Sequence, residues 1–371
     1  MNVVIDATVL LVESAGVKTY IWQWLQALQS LPGNNRFTGF PFFNGLPPLR
    51  HDGSVLSPLA TFPRLITSHF AGRVPSIFEA CIRDADVFHI SSVGGHRPRK
   101  ARLTATIHDL TAWRFPEVHT KSNRKVDERF FTQTVPVADK LIAVSENTRR
   151  DAIEFLGISP NRIVTIYSGV APEYFQAGPT QARQSAAAFH LNRPYVLCVG
   201  TIEPRKNLDR LLDAWQGLPD DVRASFDLVL AGPVGWAPKE TVVRLRKPPT
   251  GIRYLGYVAE EWLPGLTAGA CCLAYPSLYE GFGFPVAQAL AAGVPVVTSN
   301  TSSLPEVVGP AALLVDPRSV SAIRRALLDL LTSPTTAARL RSEARKQATR
   351  YTWERCAAQS LAFFESVAGA V

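Results

Sequence analysis

Glu280, Gln288, Arg205, Lys206 and His108 are the residues of this 371-residue chain whose types and surroundings could do chemistry. Glu280 opens a glycine-rich stretch, Glu280-Gly281-Phe282-Gly283-Phe284, that comes soon after the apolar run 270–275. Pro285 suits the first position of a helix, because its φ is fixed and its missing N–H is not needed there. Gly293 closes that helix, and 294–298 reads as the next strand. A strand, a glycine loop and a helix in this order aim backbone N–H groups at whatever lies beyond the strand's carboxyl end. Gln288 lies eight residues after Glu280, one turn into the helix. Loop and helix therefore offer a carboxylate, an amide and several backbone donors to a small polar ligand.

Two further groups sit at comparable places. Gly200-Thr201-Ile202-Glu203-Pro204-Arg205-Lys206-Asn207-Leu208 follows the apolar run 195–199 and leads into a helix. Its adjacent cations make an electropositive corner, where Arg grips a phosphate through paired N–H bonds and Lys adds a point charge. His108 and Asp109 follow the run 103–107, at the carboxyl edge where α/β sheets hold their ligands. A His-Asp pair also serves as a hydrogen-bonded turn, and an Arg-Lys pair as solvated surface. Asp84-Ala85-Asp86 resembles a metal-binding Asp-x-Asp, but it precedes the strand 87–90 and so lies at the amino end. A turn into a strand accounts for it, and no metal is expected.

The elements that must position these groups alternate along the chain. A strand at 3–5 is followed by Glu13-Ser14-Ala15-Gly16 and a helix over 17–28. Gly16 is placed where a ligand can approach the backbone closely. Residues 31–80 are rich in Pro and Phe and read as irregular loops with one amphipathic element. Strands follow at 87–90, 103–107 and 138–145, and Ser145 caps a helix that runs to Leu156. The stretch 163–170 ends this half. From 195 a second set of strands begins, with members at 228–231, 252–255, 270–275 and 294–298. The alternation predicts an α/β protein of two Rossmann-like, doubly wound domains, 1–172 and 195–350. Residues 173–194 have the composition of a linker with a short helix, and a further helix is expected over about 351–371.

Bulk composition limits the functional classes. The 46% apolar and 19% charged residues are those of a globular protein, and no run of 18 apolar residues exists to span a membrane. The start, Met1-Asn2-Val3-Val4-Ile5-Asp6, has no basic leader, and the five cysteines contain no Cys-x-x-Cys pair. Both point to a cytoplasmic protein with reduced thiols, a location that includes the inner face of the membrane. The net charge of +8 divides into +5 over residues 1–172 and +3 over the rest, with basic clusters at 96–102 and 123–125. These clusters are either solvated surface or an attraction to an anionic membrane face or a diphosphate-linked acceptor. Nucleic acid is not expected, because no aromatic interleaving or helix-turn-helix pattern accompanies the charge.

The spacing from Glu280 to Gln288 resembles the Glu-x7-Glu motif of retaining GT-B glycosyltransferases of the family 4 type, which include many bacterial mannosyltransferases. Thr106-Ile107-His108-Asp109-Leu110 is similar to the histidine segment of that family, and 200–208 to its diphosphate loop. Gly256-Tyr257-Val258 resembles the stretch beside the nucleotide base, and Tyr351-Thr352-Trp353-Glu354 the segment that crosses back to the first domain. The resemblance implies a GT-B architecture, two domains facing a central cleft. It implies transfer of a hexosyl, mannosyl-like group from a GDP-, UDP- or dTDP-linked sugar to a glycan or lipid-linked hydroxyl, with retention and without a metal or other cofactor. Glu280 and His108 would lie at the donor sugar, as catalytic residues. Gly16, Arg205, Lys206, Tyr257, Val258, Gly281, Phe282, Gly283 and Gln288 would bind the donor. Glu280 is then either a double-displacement nucleophile or, in the same-face attack that the family favours, the group that orients hydroxyls and stabilises positive charge. The chain departs from the family at Lys18, where Arg is usual, and at Gln288, where a second Glu would hold the ribose. An amide there implies, in order, weaker ribose binding, a deoxyribose donor, or a donor-binding partner protein without turnover.

Overall fold

The computed structural model describes residues 1–14, 16–51, 53–91 and 97–369, without the side chains at 122, 123 and 126. Ala15 of the first glycine loop and His96 at the head of the basic cluster lie outside the described residues, as does the side chain of Asn123. The chain forms two compact units, Met1–Gly169 with Trp353–Val371, and Val170–Thr352.

The first unit is built on β1 (Asn2–Asp6), β2 (Arg36–Phe40), β3 (Val87–Ile90), β4 (Arg102–Ile107), β5 (Lys140–Ala143) and β6 (Ile163–Thr165). They form one sheet in the order β2-β1-β3-β4-β5-β6, every pair parallel. The second unit contains β7 (Tyr195–Val199), β8 (Asp227–Ala231), β9 (Ile252–Tyr254), β10 (Cys272–Tyr275), β11 (Val296–Ser299) and β12 (Ala312–Val315). Their order is β12-β11-β10-β7-β8-β9, again all parallel. Strands β3, β8 and β10 are buried along their whole length, as parallel strands covered on both faces must be.

In each sheet the winding reverses once, and that reversal decides where ligands can enter. The first sheet grows from β1 to β2, then resumes on the other side of β1 with β3. The second grows from β7 through β9, then resumes beside β7 with β10. At such a switch point the connections leave in opposite directions and open a crevice beyond the carboxyl ends of two neighbouring strands.

Local signals account for much of this. Ser145 Oγ accepts the Thr148 N–H at 3.0 Å and caps the helix Glu146–Leu156. Helix α1 (Gly16–Gln29) buries Tyr20, Ile21, Trp24, Leu25 and Leu28, one stripe at helical spacing. The helix Trp353–Ala368 belongs to the first unit, where Trp24 Nε1 donates to Ser360 Oγ at 2.9 Å in a buried position. Residues 36–40, expected to be irregular, are instead the edge strand β2. Pairing with β1 from Asn2–Arg36 to Asp6–Phe40 supplies a partner that the Phe-rich sequence alone does not reveal. The stretch 173–194 takes in most of the helix Pro172–Gln176 and all of the helix Pro179–Ala188, both within the second unit. The latter packs so closely on the helix Leu263–Ala268 that a Cβ on Gly265 would come within 2.6 Å of the Gln181 carbonyl oxygen. Asp86 Oδ2 accepts the Asn2 N–H at 2.7 Å, so this Asp-x-Asp carboxylate ties down the start of β1.

Where the first unit closes on itself, Gly169 lies against Trp353, and a Cβ there would stand 2.5 Å from the indole Cγ and 2.6 Å from Cα. Overpacking of this kind costs about 1–3 kcal/mol. Gly169→Ala is therefore expected to lower Tm by roughly 4 °C, since 1 kcal/mol moves a domain of this size by about 2–4 °C. An unchanged Tm by differential scanning calorimetry would contradict the tight contact.

Candidate functional site

The strongest concentration of charge in the second unit lies at its switch point, beyond the carboxyl ends of β7 and β10. After β7 the chain makes a single 3-10 turn, Pro204–Lys206, that presents both cations before the helix Leu208–Gln216 begins. After β10 it loops through Ser277 and Glu280 to the helix Phe284–Ala291. Because β7 and β10 are neighbours, residues 75 positions apart in sequence meet. Glu280 Oε2 accepts from Arg205 Nη1 at 2.5 Å, and Oε1 from Lys206 Nζ at 2.7 Å. Oε1 also accepts from Tyr275 Oη at 2.8 Å and Ser277 Oγ at 2.7 Å. Arg205 in turn donates from Nη2 to Glu203 Oε1 at 2.6 Å and from Nη1 to the Tyr279 carbonyl at 2.9 Å.

The electropositive corner expected from the sequence is thus matched by two carboxylates, Glu203 and Glu280, both nearly buried. Burial alone would raise the Glu280 carboxyl above its ordinary 4.5. Arg205 and Lys206, with hydrogen bonds from Lys206 and Ser277, more than offset this and bring it down to about 2. Glu280 is therefore a fixed anion, only 6% exposed, with both oxygens engaged. The Tyr275 hydroxyl, between the Lys206 ammonium at 2.6 Å and the carboxylate, has its pKa raised by burial and by Glu280, and stays protonated.

The glycine loop is shaped by the chain's own packing. Gly283 has φ +96°, and a Cβ there would come within 2.8 Å of Leu304 Cδ2. Phe282 points inward at 4% exposure, edge-to-face on Tyr351 with centroids 5.5 Å apart, so only its backbone is available to a ligand. Gly281 is buried as well. The loop is held from below, Glu280 N–H donating to Ser302 Oγ at 3.0 Å and Ser303 Oγ lying 2.9 Å from the Glu280 carbonyl. Gln288 is half-buried on the helix, and among the described residues its side chain has no hydrogen bond. Tyr257 and Val258 follow β9 at the same sheet edge, Tyr257 52% exposed and Val258 buried.

In the first unit, His108 follows β4 and reaches the end of β3. Its Nε2 lies 2.9 Å from the Ser91 carbonyl, which can only accept, so Nε2 carries the proton and Nδ1 the lone pair. Burial pulls the ring down to about 4, with Asp109 and the Ser91 carbonyl opposing, so the imidazole is neutral at neutral pH. Asp109 Oδ1 accepts the Thr111 N–H at 2.9 Å and shapes the turn. Among the described residues, a Cβ on Gly16, at the start of α1, would meet open space. Lys18 is fully buried, its Nζ donating to the Val12 carbonyl at 2.8 Å and to that of Gly53. It ties Val12 to Gly53.

Arg205, Lys206 and Glu280 converge, with Gly281, Phe282, Gly283 and Gln288 adjacent in the same unit; Gly16 and His108 belong to the other. Sequence reasoning missed Tyr275, Ser277, Glu203, Ser302 and Ser303. Tyr275 ends a buried strand and reads as core. Only its place at the carboxyl end of β10 hints that its hydroxyl reaches the loop. Gly232, which a Cβ would drive into the Gly200 carbonyl, was missed for the same reason: β7 and β8 meet there only in the folded sheet.

The glycosyl transferases group 1 family matches residues 181–347, and Glycosyltransferase Family 4 matches residues 15–174. O-antigen chain mannosyltransferase B of Escherichia coli is 36% identical over 267 residues, 71% of this chain and 70% of that protein. The serotype-specific mannosyltransferase WbdA of Escherichia coli is 29% identical over 222 residues, 58% of this chain but 27% of its own length. Among solved structures, sucrose-phosphate synthase from Thermosynechococcus elongatus aligns with a TM-score of 0.75 at 20% identity, covering 100% of this chain and 99% of its own. Anabaena Alr3699/HepE in complex with UDP and glucose aligns at 0.72 and 15% identity, covering 99% and 100%. At these identities the structural likeness is one of fold.

The low Glu280 pKa has a consequence for stability against pH. Unfolded, the carboxyl takes a proton near 4.5; folded, near 2. On acidification the unfolded chain binds the proton first, so the stabilisation is whole above about pH 4.5 and lost as pH falls toward about 2. The Tm gap between the parent and Glu280→Gln is expected to stay constant from about pH 8 to 5 and to close below about 4.5. A gap already closing between about pH 7 and 5 would mean the carboxyl is not held as an anion.

Proposed function

Because the chain belongs to the family 4 glycosyltransferases, with a group 1 transferase second half, we propose that it moves a mannosyl-type hexose from a nucleotide diphosphate sugar to a glycan or lipid-linked hydroxyl. The reading takes the transfer to be retaining and to need neither metal nor cofactor. The donor is GDP-, UDP- or dTDP-linked; the mannosyl assignment is supported by the names of the curated relatives.

The observation that carries the mechanism is the Glu280–Arg205–Lys206 cluster at the β7/β10 switch point. The donor diphosphate takes the position to which Arg205 and Lys206 are directed, adding phosphate oxygens as acceptors while both cations keep Glu280. As the C1–O bond to phosphate breaks, negative charge grows on the diphosphate beside these cations, which act as preorganised donors and do the work of a metal. The acceptor oxygen bonds to C1 from the same face, and its proton passes to a phosphate oxygen. Glu280 stays ionised and stabilises the oxocarbenium-like sugar by its field. Its low pKa and engaged oxygens make it a poor nucleophile, which favours same-face attack over double displacement. Within the first unit, His108 offers Nδ1 as an acceptor for a hydroxyl. Tyr257, Val258 and the 281–283 backbone flank base and phosphates, while Gln288 takes the ribose with an amide in place of a carboxylate.

Removing both cations would strand a buried anion, so Arg205→Ala/Lys206→Ala is best made together with Glu280→Gln and compared with Glu280→Gln alone. Affinity for GDP, UDP and dTDP, read by thermal shift, is expected to fall at least tenfold, roughly 1.4 kcal/mol, while nucleoside affinity holds. Equal loss for both ligand classes would remove the diphosphate assignment. In a transfer assay with EDTA present, the parent is expected to turn over and Glu280→Gln to lose roughly 10²-fold in kcat with little change in donor affinity. Undiminished turnover in Glu280→Gln would dismiss Glu280 from catalysis. A parent that binds donor but transfers to no acceptor would instead support a donor-binding partner protein, the reading that Gln288 favours.

A further inference from the structure

Trp113 is the most exposed of the tryptophans, at 37%. A single exposed aromatic is ordinary on a protein surface, so its setting decides what it does. Trp113 lies on the one-turn helix Thr111–Arg114, which follows His108 and Asp109 at the carboxyl edge of the first sheet. Its backbone N–H donates to the Leu110 carbonyl at 3.0 Å, so the helix turns straight out of the histidine loop. The indole is held in place by the buried Phe131, which it meets edge-to-face with centroids 5.0 Å apart and planes at 73°. Its neighbour Arg114 is taken up by the helix Glu146–Leu156, over the Phe155 ring at 5.3 Å and 3.6 Å from Asp151 Oδ1. Among the described residues the Trp113 indole N–H has no hydrogen-bond partner.

Polar groups gather on the same turn. Asp109 Oδ1 accepts the Thr111 N–H at 2.9 Å, while Oδ2 has no hydrogen bond among the described residues. The helix Lys121–Arg129 packs on this turn and brings Asp127 toward Asp109. Burial and the Asp109 charge raise the Asp127 carboxyl to about 7, so near neutral pH the pair offers both an acceptor and a donor. Thr111 is fully buried, and its Oγ1 has no hydrogen-bond partner among the described residues. An unmade bond of this kind in a native fold calls for a further group. Arg124 and Lys125 of the same helix are exposed and neither lowers Asp127, so a phosphate here would meet carboxylates. An alkyl chain would cover the carboxyls and leave their hydrogen bonds unmade. A pyranose fits both halves: its C–H groups lie against an aromatic face, and its hydroxyls donate and accept at the rim. We propose that Trp113, with Asp109 and Asp127, forms a subsite beside His108 for a neutral pyranose ring of the acceptor glycan. That the ring belongs to an acceptor rests on the transferase reading; that a sugar binds at Trp113 does not.

The test titrates the full chain, without donor, with neutral trisaccharides of mannose, glucose and galactose and follows binding by saturation-transfer NMR. The parent is expected to bind at least one of them. Trp113→Ala is expected to weaken that binding at least about tenfold, and Trp113→Phe to restore it to within about threefold. Asp127→Asn, whose amide replaces the protonated carboxyl as donor, is expected to stay within about threefold of the parent, whereas Asp127→Leu loses about tenfold. Thermal shift with GDP, UDP and dTDP is expected to be the same in all four variants, which shows that each is folded. If Trp113→Ala fails to fold, the contrast between Asp127→Asn and Asp127→Leu decides. A parent that binds none of the trisaccharides, or variants that bind them as the parent does, would overturn the subsite and leave the diphosphate reading standing. If a decyl aglycone tightens binding to the parent, and Trp113→Ala removes that gain but not binding of the free sugar, the indole serves a lipid end and the subsite is overturned. Trisaccharide binding lost in Trp113→Ala and Asp127→Leu, in a protein that transfers nothing, would support the subsite and count against turnover alone.

Discussion

A carboxylate cannot be buried alone. Even after relaxation the cost is on the order of several kcal/mol, and removing one partner of a buried pair leaves that cost uncompensated. Glu280 is nearly buried, so Arg205 and Lys206 must be where they are for the loop to keep its shape. The dependence runs both ways. The two cations, the Tyr275 hydroxyl and Ser277 Oγ are held in one geometry because a single anion takes all of them. Charged groups that are already fixed lose little freedom when a ligand charge arrives, which is what an electrostatic site requires.

That constraint can be met only at one place in the second sheet. Arg205 and Lys206 leave β7 and Glu280 leaves the β10 connection, and these strands are neighbours because the winding reverses between them. Inserting β10 on any other edge would separate the charges. The first unit uses the same rule with gentler chemistry: Ser91 ends β3, His108 ends β4, and the ring is neutral and anchored through one nitrogen. Two similarly wound sheets thus carry different electrostatics at their carboxyl edges, one a compensated charge cluster, the other a neutral imidazole.

The first unit also has two kinds of helix. Helix α1 and the helix Trp353–Ala368 bury aromatic faces around Trp24 and Phe364, as the cover of a sheet must. Helix α2 (Pro58–Ala71) instead presents small and polar residues to the unit and keeps its large apolar ones outside. Period and composition are alike in both cases, so an amphipathic pattern reports that a helix has two faces and not which one meets the protein.

Much was legible from the chain alone, wherever the cause is local. Apolar runs marked the strands, Ser145 and Pro285 marked helix starts, and the placement of Arg205, Lys206, Glu280 and His108 just beyond strand ends followed from counting residues. These depend on neighbours a few positions away. What tertiary structure decided was partnership. Nothing near Glu280 in sequence announces that Arg205 neutralises it, that Tyr275 turns its hydroxyl to the same oxygen as Lys206, or that Glu203 shares the guanidinium. Strand β2 was invisible for the same reason, since an edge strand of Arg-Phe-Thr-Gly-Phe is stabilised by its ladder with β1 more than by its own residues. The outward turn of α2 depends on the Phe42 carbonyl and the Phe43 ring, which come beside Arg64 only after folding. Propensity and period act along the chain, whereas charge compensation and packing act through space, and the order of strands in the sheet converts one into the other.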